Sequence, residues 1–591
     1  MSIYDVFHLL GGLALFLFGM SVMSDSLEKR AGRRLKAILE QLTSSPFKAA
    51  LLGLGVTAII QSSSATTVMV VGFVNSGIMQ LKQAIGVVMG ANIGTTVTAW
   101  ILSLTGITSD SFWVSLLKPS TFTPLLAFIG IAMLLFGKRH RDTAGILLGF
   151  SVLMYGMETM SAAVNGLSKD PAFVNTLMLF SNPLFGVLAG AVVTAIIQSS
   201  SASIGILQAI ANTGSVTFGA AIPIIMGQNI GTCITAVLSA IGANRGAKRV
   251  AVVHLMFNLM GTAVFLPLFY VLYALLGLEF MNQPINAFYI AVSHSAFNIM
   301  TTAMSFPFIN FLEMLAYKVI SEDRKGERPV LLDERLLSTP SIAIEQSRRL
   351  TARMAAETHA AFLKADALLE QYDAVEAEKV VAIENKVDQY EDELSDYLVK
   401  VSAQNMSDDE SRDVSKLLHS IDDLERICDH AINISESAQE LHEKDIQFSP
   451  EATQQMRVIR AAVREILDMA VNAFIQNDIA LAKCVEPLEE VVDLLRTNIR
   501  QGHIERLRTG ACTIELGFVL GDLLTNLERV SDHCSNIATA VIEIEMHGSV
   551  DAHAYQKSLR SGEAGARFQQ EFDAYLKKYD LNAEFSPVTE S

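Results

Sequence analysis

The chain has 591 residues, 50% of them hydrophobic and 18% charged, with a formal net charge of −17. The average hides a division: residues 1–320 carry 16 Lys+Arg and 10 Asp+Glu, net +6, whereas residues 321–591 carry 29 and 52, net −23. The acidic total argues against nucleic acid as the main partner, and a first part this poor in charge argues against a wholly soluble enzyme.

The first 320 residues read as membrane-embedded. The N-terminus has no basic segment before its apolar stretch and no clear cleavage site after it, so it is not read as a signal peptide. Apolar stretches follow at roughly 5–23, 47–60, 65–77, 84–106, 122–137, 143–160, 184–197, 202–212, 217–241, 250–276 and 286–316. Several reach the ~20 residues that span a bilayer. Others are short and broken by polar clusters, a pattern of re-entrant hairpins or unwound helices.

The chain repeats itself. Residues 57–65, Thr-Ala-Ile-Ile-Gln-Ser-Ser-Ser-Ala, recur unchanged at 194–202, an offset of 137. The same offset carries Gly19-Met20 onto Gly156-Met157, Pro46 onto Pro183, and Asn92-Ile93-Gly94-Thr95 onto Asn229-Ile230-Gly231-Thr232. A block of about 16–105 therefore recurs at about 153–242. Basic residues favour cytoplasmic loops. Lys29, Arg30, Arg33, Arg34 and Lys36 follow the first helix, whereas the equivalent 166–173 has only Lys169. At the far end the bias reverses: Arg245, Lys248 and Arg249 close the second copy, and 108–112 has no basic residue. The two copies are thus predicted to be inverted, joined by a cytoplasmic turn at Lys138, Arg139 and Arg141, with the N-terminus outside.

A shorter duplication, offset 40, matches His254, Phe257-Asn258, Thr262 and Pro267 with His294, Phe297-Asn298, Thr302 and Pro307. It predicts an antiparallel helix pair at 250–316 that returns to Lys318, Arg324 and Lys325 and leaves the C-terminal part in the cytoplasm. The two histidines read as hydrogen-bonded across a helix contact, and Glu158 as interfacial.

The polar clusters supply the candidate site: Gln61, Ser62, Ser63, Ser64, Thr66 and Thr67 from one copy, Gln198, Ser199, Ser200, Ser201 and Ser203 from the other. Asn92, Thr95, Thr96, Asn229 and Thr232 complete it. Unpaired polar groups cost several kcal/mol each in hydrocarbon, so something must satisfy them. Amide, hydroxyl and carbonyl oxygens suit a hard monovalent cation, and helix N-termini just after each cluster suit an oxyanion. No charged residue lies within the clusters; Lys48 and Lys82 are nearby. An anion's charge would then be balanced by helix dipoles and a co-bound cation.

Residues 321–340, with Pro329 and Pro340, read as a linker. Beyond it helices are predicted at 341–370, 374–403, 407–441, 451–476, 478–508 and 511–546, with a polar tail from 548 and one further helix near 566–578. Leu424-Glu425-Arg426-Ile427 with Asp429-His430 and Asn433 recurs, one position conservatively changed, as Leu527-Glu528-Arg529-Val530 with Asp532-His533 and Asn536, an offset of 103. Two three-helix units are the simplest account. Glu and Asp at i and i+4 share a helix face, and two such helices facing each other form a carboxylate site fit for a multinuclear metal. Cys233, Cys428, Cys484, Cys512 and Cys534 lack metal-ligand spacing and suit a reduced compartment.

The doubled Gln-Ser-Ser-Ser, with Gly90-Ala91-Asn92-Ile93-Gly94-Thr95-Thr96, resembles the signature of the type II sodium/phosphate cotransporter family over about 1–320. The resemblance implies substrate and sodium sites at the polar residues named above. The second copy departs from it at Ser203, Gln228 and Cys233, which leaves the sodium stoichiometry open. Residues 341–547 resemble PhoU-type phosphate-signalling domains, which implies metal binding, of a divalent or transition ion, by Glu384, Asp388, Glu425, Asp429, Glu489, Asp493, Glu528 and Asp532.

The expected protein is all-α: a polytopic membrane unit with inverted repeats and re-entrant hairpins (1–320), a linker (321–340), a cytosolic PhoU-like helical bundle (341–547) and a polar tail (548–591). The expected function is sodium-coupled transport of inorganic phosphate across a bacterial-type inner membrane by alternating access, not an enzymatic reaction. Its rivals are a membrane-anchored phosphate or metal sensor and a transporter of another oxyanion. The partners are phosphate, Na⁺ and the lipid bilayer. A homodimer and a cytosolic phosphate-signalling partner stay open.

Overall fold

The computed structural model describes residues 3–41, 45–77, 79–106, 118–137, 140–167, 180, 182–277, 279–321, 332–404, 406–545 and 562–581. Lys138, Arg139, Lys169, Arg324, Lys325, Pro329, the segment 108–112 and the start of the tail lie outside the described residues, as do the side chains of Arg33, Arg34 and Lys36. Helix dominates and no strand is formed among the described residues. The chain divides into two compact units, Met1–Ile342 and Ala343–Ser591.

In the first unit the long helix α1 (Ile3–Gln41) precedes α2 (Pro46–Ile60), α3 (Ser63–Asn75) and α4 (Leu81–Ser103). After α5 (Pro119–Phe136) comes α6 (Arg141–Leu167), and then α7 (Pro183–Ile197), α8 (Ser200–Ala211) and α9 (Phe218–Ser239). The bounds of α7–α9 repeat those of α2–α4 almost residue for residue at the offset of 137. The cause is local. Gln61 and Gln198 end α2 and α7 in the left-handed region, at φ 62° and 59°. Ser62 and Ser199 then cap the next helices, each hydroxyl accepting from a backbone N–H three residues on, both at 3.2 Å. Each polar motif is thus a helix break with a free N-terminus behind it.

Glycine sets the packing distances. A Cβ on Gly90 would lie 1.8 Å from the Ala50 carbonyl oxygen, and one on the equivalent Gly227 2.0 Å from that of Val187. Only glycine lets α4 ride on α2, and α9 on α7, at this range. α1 and α6 also occupy equivalent positions. Gly12 abuts Gly156 while Gly19 abuts Gly149, so the two helices run antiparallel through exchanged, equivalent glycines.

Then come α10 (Arg245–Leu276), α11 (Ala287–Ser305) and α12 (Ile309–Val319). The stretch expected to run unbroken over 286–316 is interrupted by a 3₁₀ turn at Phe306–Phe308. Pro307 has no N–H to continue the α-helical ladder. Arg249, 2% exposed, ties the start of α10 to the end of α12. Its guanidinium donates to the carbonyls of Ile320 (3.1 Å) and Ser321 (2.6 Å) and lies 4.1 Å from the Tyr317 ring centre. The pair therefore returns to the end it left.

A clasp closes the same end. Asp333, 2% exposed, accepts from Asn75 Nδ2 at 2.7 Å and pairs with Arg335 at 3.0 Å. Arg335 in turn donates to the carbonyls of Ser239 and Ile241, and Asn75 accepts from the backbone N–H of Asn244 at 2.8 Å. Leu336, 0% exposed, fills the space beside Gly72. At the equivalent junction of the other copy, among the described residues, Asn212 Nδ2 donates to Thr105 Oγ1 at 3.5 Å, and the N–H groups of Phe218 and Ile285 donate to the carbonyls of Gln283 and Val216 at 3.1 and 2.9 Å.

Among the described residues seven helical segments are long and apolar enough to cross a membrane: Tyr4–Ala31, Leu81–Gly106, Pro119–Phe136, Arg141–Asn165, Phe218–Ser239, Arg245–Leu276 and Ala287–Val319. The four helices flanking the motifs are apolar but shorter.

The second unit is a helical bundle: α13 (Pro340–Leu368, from Ala343 on), α14 (Ala374–Ser402), α15 (Asp408–Glu443), α16 (Pro450–Gln476), α17 (Ile479–Ala482), α18 (Val485–Arg508), α19 (Ile514–Glu545) and α20 (Gly562–Lys578). α15 and α19, which carry the repeated motif, pack along each other. Ser407 and Glu410 form a reciprocal capping box at the start of α15. The helix expected at 478–508 is split in two, and Pro487 sits in the first turn of the second piece, where its missing N–H costs no bond.

Candidate functional site

The two Gln-Ser-Ser-Ser motifs, 137 residues apart in sequence, meet in space. Ser64 Oγ donates to the carbonyl oxygen of Gln198 at 3.1 Å. In the other direction Ser201 Oγ donates to Thr98 Oγ1 at 3.4 Å, and Thr98 Oγ1 donates to Gln61 Oε1 at 2.8 Å. Each motif's third serine thus reaches the other motif's glutamine, once directly and once through Thr98. α3 and α8 begin at this junction, at Ser63 and Ser200, which are 6% and 4% exposed. Their positive dipole ends converge there.

Inside each copy the hydroxyls are ordered alike. Thr57 Oγ1 donates to Thr66 Oγ1 at 3.0 Å, and Thr194 Oγ1 to Ser203 Oγ at 2.8 Å. Thr67, Thr95, Thr96 and Thr232 donate back to carbonyls of their own helices, as does the Asn229 amide. Their oxygens keep lone pairs for a ligand while their protons are engaged. Around the two motifs, Asn92 Nδ2, a donor, and Gln228 Oε1, an acceptor, are buried with no hydrogen-bond partner among the described residues. Gln228 Nε2 binds Ser203 Oγ and its carbonyl, both at 3.0 Å, so the departure at 228 is tied to the departure at 203. A mostly apolar cavity of 230 Å³ between α7, α8 and α9 reaches this pair. Thr57, Thr194 and Thr98 are site residues that the motif reading passed over. The first two stand inside the repeated nine residues, and that repetition was their signal.

His254 and His294 are each 1% exposed and do not bond to each other; His294 has no partner on either ring nitrogen. The expected hydrogen bond across a helix contact is therefore not seen for His294.

In the second unit the carboxylates gather in two equivalent triads. One carboxylate oxygen each from Glu384, Asp388 and Asp429 lie within 4.8 Å of one another, and so do those from Glu489, Asp493 and Asp532. Glu425 and Glu528 stand outside these triads. Glu425 borders the first, and Glu528 is held by Arg496 at 3.2 Å. Burial, and then the crowding of like charge, raises the carboxyls of Glu384 and Asp388 above their usual range. The same causes push Glu425 up to about 7, Glu489 to about 8 and Asp532 to about 6. Three converging oxygens that repel one another are a donor set for a hard or borderline cation. Between the triads the imidazoles of His430 and His533 lie 5.7 Å apart. His430 Nδ1 pairs with Asn526 Oδ1 and His533 Nδ1 with Asp423 Oδ1, each at 2.8 Å. Asp423 and Asn526 stand at the same offset of 103 and were not among the expected residues.

Comparison with known proteins agrees with both halves. The family model described as Na⁺/Pi-cotransporter matches residues 15–162 and 153–288, and that of the PhoU domain matches residues 351–438 and 457–541. The chain is 24% identical over 558 residues to the "Putative inorganic phosphate export protein YjbB" of Escherichia coli (strain K12), covering 91% of this chain and 97% of that one. It is 33% identical over 254 residues to "Uncharacterized protein YqeW" of Bacillus subtilis (strain 168), 43% of this chain and 78% of that one. Over 187 residues it is 35% identical to the "Sodium-dependent phosphate transport protein 2B" of Homo sapiens, covering 30% of this chain and 26% of that protein. A crystal structure of PhoU from Pseudomonas aeruginosa aligns with a TM-score of 0.32 at 25% identity, covering 34% of this chain and 95% of that one. The chain belongs to the Na⁺/Pi-cotransporter family, as a multi-pass membrane protein whose transport unit is followed by a PhoU domain.

Proposed function

We propose that the protein is a sodium-coupled transporter of inorganic phosphate in a bacterial-type inner membrane, working by alternating access. The observation that carries this reading is the reciprocal contact between the two motifs, Ser64 with Gln198 and Ser201 with Gln61 through Thr98. It draws the N-termini of α3 and α8 to one point, where a phosphate would meet dipoles and hydroxyls without a formal countercharge. A bound Na⁺ supplies the missing positive charge. The site comprises the motif residues with Asn92, Thr95, Thr96, Asn229 and Thr232, and the free Asn92 Nδ2 gives an oxyanion a ready donor. The inverted arrangement of the copies is supported by the antiparallel, exchanged glycine contacts of α1 and α6. In this reading the N-terminus is outside, the transport domain spans 1–320, and the domain at 341–547 is cytosolic and regulatory, with divalent or transition metal held by the two carboxylate triads. Bound metal would neutralise those triads and pin α14 to α15 and α18 to α19.

The test is labelled phosphate flux in proteoliposomes with and without a sodium gradient, in both orientations. Flux should follow the gradient in either direction, which accommodates the export named for YjbB. Flux indifferent to sodium would remove the coupling, and phosphate binding without flux would turn the reading toward a sensor.

A further inference from the structure

Away from the two motifs, α10 and α11 cross where Gly261 faces Thr301: a Cβ on Gly261 would sit 2.7 Å from Thr301 Oγ1. Four residues further along α10 and four back along α11, the rings of Phe265 and Phe297 meet at 6.3 Å. A step forward on one helix is a step back on the other, so the two are antiparallel through this crossing. The helical rise then fixes the levels. Asn258 lies three residues before Gly261 and Ser305 four residues after Thr301, which puts both on the same side of the crossing, ~4.5 and ~6 Å from it. Asn258 and Gly261 share a face of α10, and Thr301 and Ser305 share a face of α11.

Asn258, Thr301 and Ser305 are each 0% exposed, and each has an oxygen with no hydrogen-bond partner: Oδ1, Oγ1 and Oγ respectively. The Asn258 amide nitrogen is engaged, donating to the His254 carbonyl at 3.1 Å and to Cys233 Sγ at 3.3 Å, so its oxygen is the free atom. Neither hydroxyl makes the bond back to its own helix that membrane serines and threonines commonly make. Three buried, unpaired oxygens within about one helical turn of one interface are costly in a membrane interior unless something binds them. The set is neutral, with no carboxylate in it, which disfavours a divalent ion. Amide and hydroxyl oxygens are the ligands of a hard monovalent cation.

The geometry points to a sodium site beside the α10–α11 crossing, with Asn258 Oδ1, Thr301 Oγ1 and Ser305 Oγ among its ligands. It rests on the sodium-coupled reading for the identity of the ion, and lies outside the doubled motif. It also gives the shorter duplication an asymmetric outcome. Thr301 and Ser305 correspond to Gly261 and Phe265 at the offset of 40, so only one of the two equivalent places carries the two hydroxyl oxygens.

The test compares the wild-type chain with Thr301→Val, which keeps the shape against Gly261, Ser305→Ala, and Thr301→Ser, which restores a hydroxyl. In proteoliposomes the Na⁺ concentration for half-maximal phosphate flux should rise about tenfold or more in the first two, the loss of one charge-assisted contact. The phosphate concentration for half-maximal flux at saturating Na⁺ should stay within about twofold, and Thr301→Ser should behave as wild type. Unchanged sodium dependence would mean that the oxygens hold water or serve packing, and the site falls. Should Thr301→Val lose flux altogether, ²²Na⁺ binding to the purified full chain decides. One fewer Na⁺ per chain supports the site, and unchanged binding overturns it. The same binding assay separates this proposal from the coupling. Wild-type flux indifferent to sodium, with Na⁺ binding that the variants lose, would end the coupling and leave the site.

Discussion

Thr98 is the smallest part on which the proposed transport site depends. It accepts from Ser201 and donates to Gln61, so one hydroxyl joins both copies. Thr98→Val keeps the volume, removes both bonds and leaves a buried glutamine oxygen unpaired, at a cost of ~1–3 kcal/mol. Phosphate flux at limiting substrate should fall about tenfold or more, with the protein still folded and inserted; unchanged flux would show that the motifs need no link through Thr98. The glutamines at the junction were legible in the sequence because nine identical residues announce them. Thr98 was not, because its equivalent, Thr235, makes no matching bond and donates to Thr232 instead. A repeat identifies what two copies share, and it is silent on a residue that only one copy uses. Asp423 was missed for a different reason: its counterpart is Asn526, so the motif reading saw no match there.

At the scale of the helix, the triads tie charge to stability. Glu489 and Asp532 lie on α18 and α19, with carboxyls raised to about 8 and about 6 by burial and by acidic neighbours. A carboxyl raised in the folded state binds its proton more tightly folded than unfolded. Its ionisation therefore removes stability as pH climbs from the ordinary carboxylate range to the folded value. With metal chelated, the melting temperature of the second unit should fall by about 5 °C or more between pH 5 and 8.5, and added Mn²⁺ or Zn²⁺ should cancel the fall. A melting temperature that holds or rises over this range without metal would contradict the argument. Helix positions were readable from periodicity because bundle helices carry a continuous apolar stripe. Their breaks were harder. Pro307 and Pro487 are single residues, and whether a proline begins, kinks or ends a helix depends on which carbonyl its ring would meet.

For the whole molecule the opening charge division separates two solvents. The unit with few charges carries the seven spans, and the acidic surplus lies in the bundle that carries the triads. What composition and motifs did not disclose is the closure of the first unit's end. Asn75 and Asp333 are 258 residues apart, and no pattern in the sequence pairs them.

That clasp binds the two copies to each other at one end of the first unit. Asp333 and Arg335 bolt the end of α3, from the first copy, to the end of α9, from the second. If the two copies rock against each other as proposed, this bolt must give or turn with each cycle. The bolt is also made from the stretch of chain that runs straight into α13, so tension on that stretch would act as a brake lever on the cycle. Cysteines at Gly72 and Leu336, where a Cβ on the glycine would lie 3.0 Å from Leu336 Cγ, should form a disulfide that slows flux about tenfold or more and releases it on reduction. Flux at the wild-type rate with the disulfide formed would mean that this end stays shut while phosphate passes.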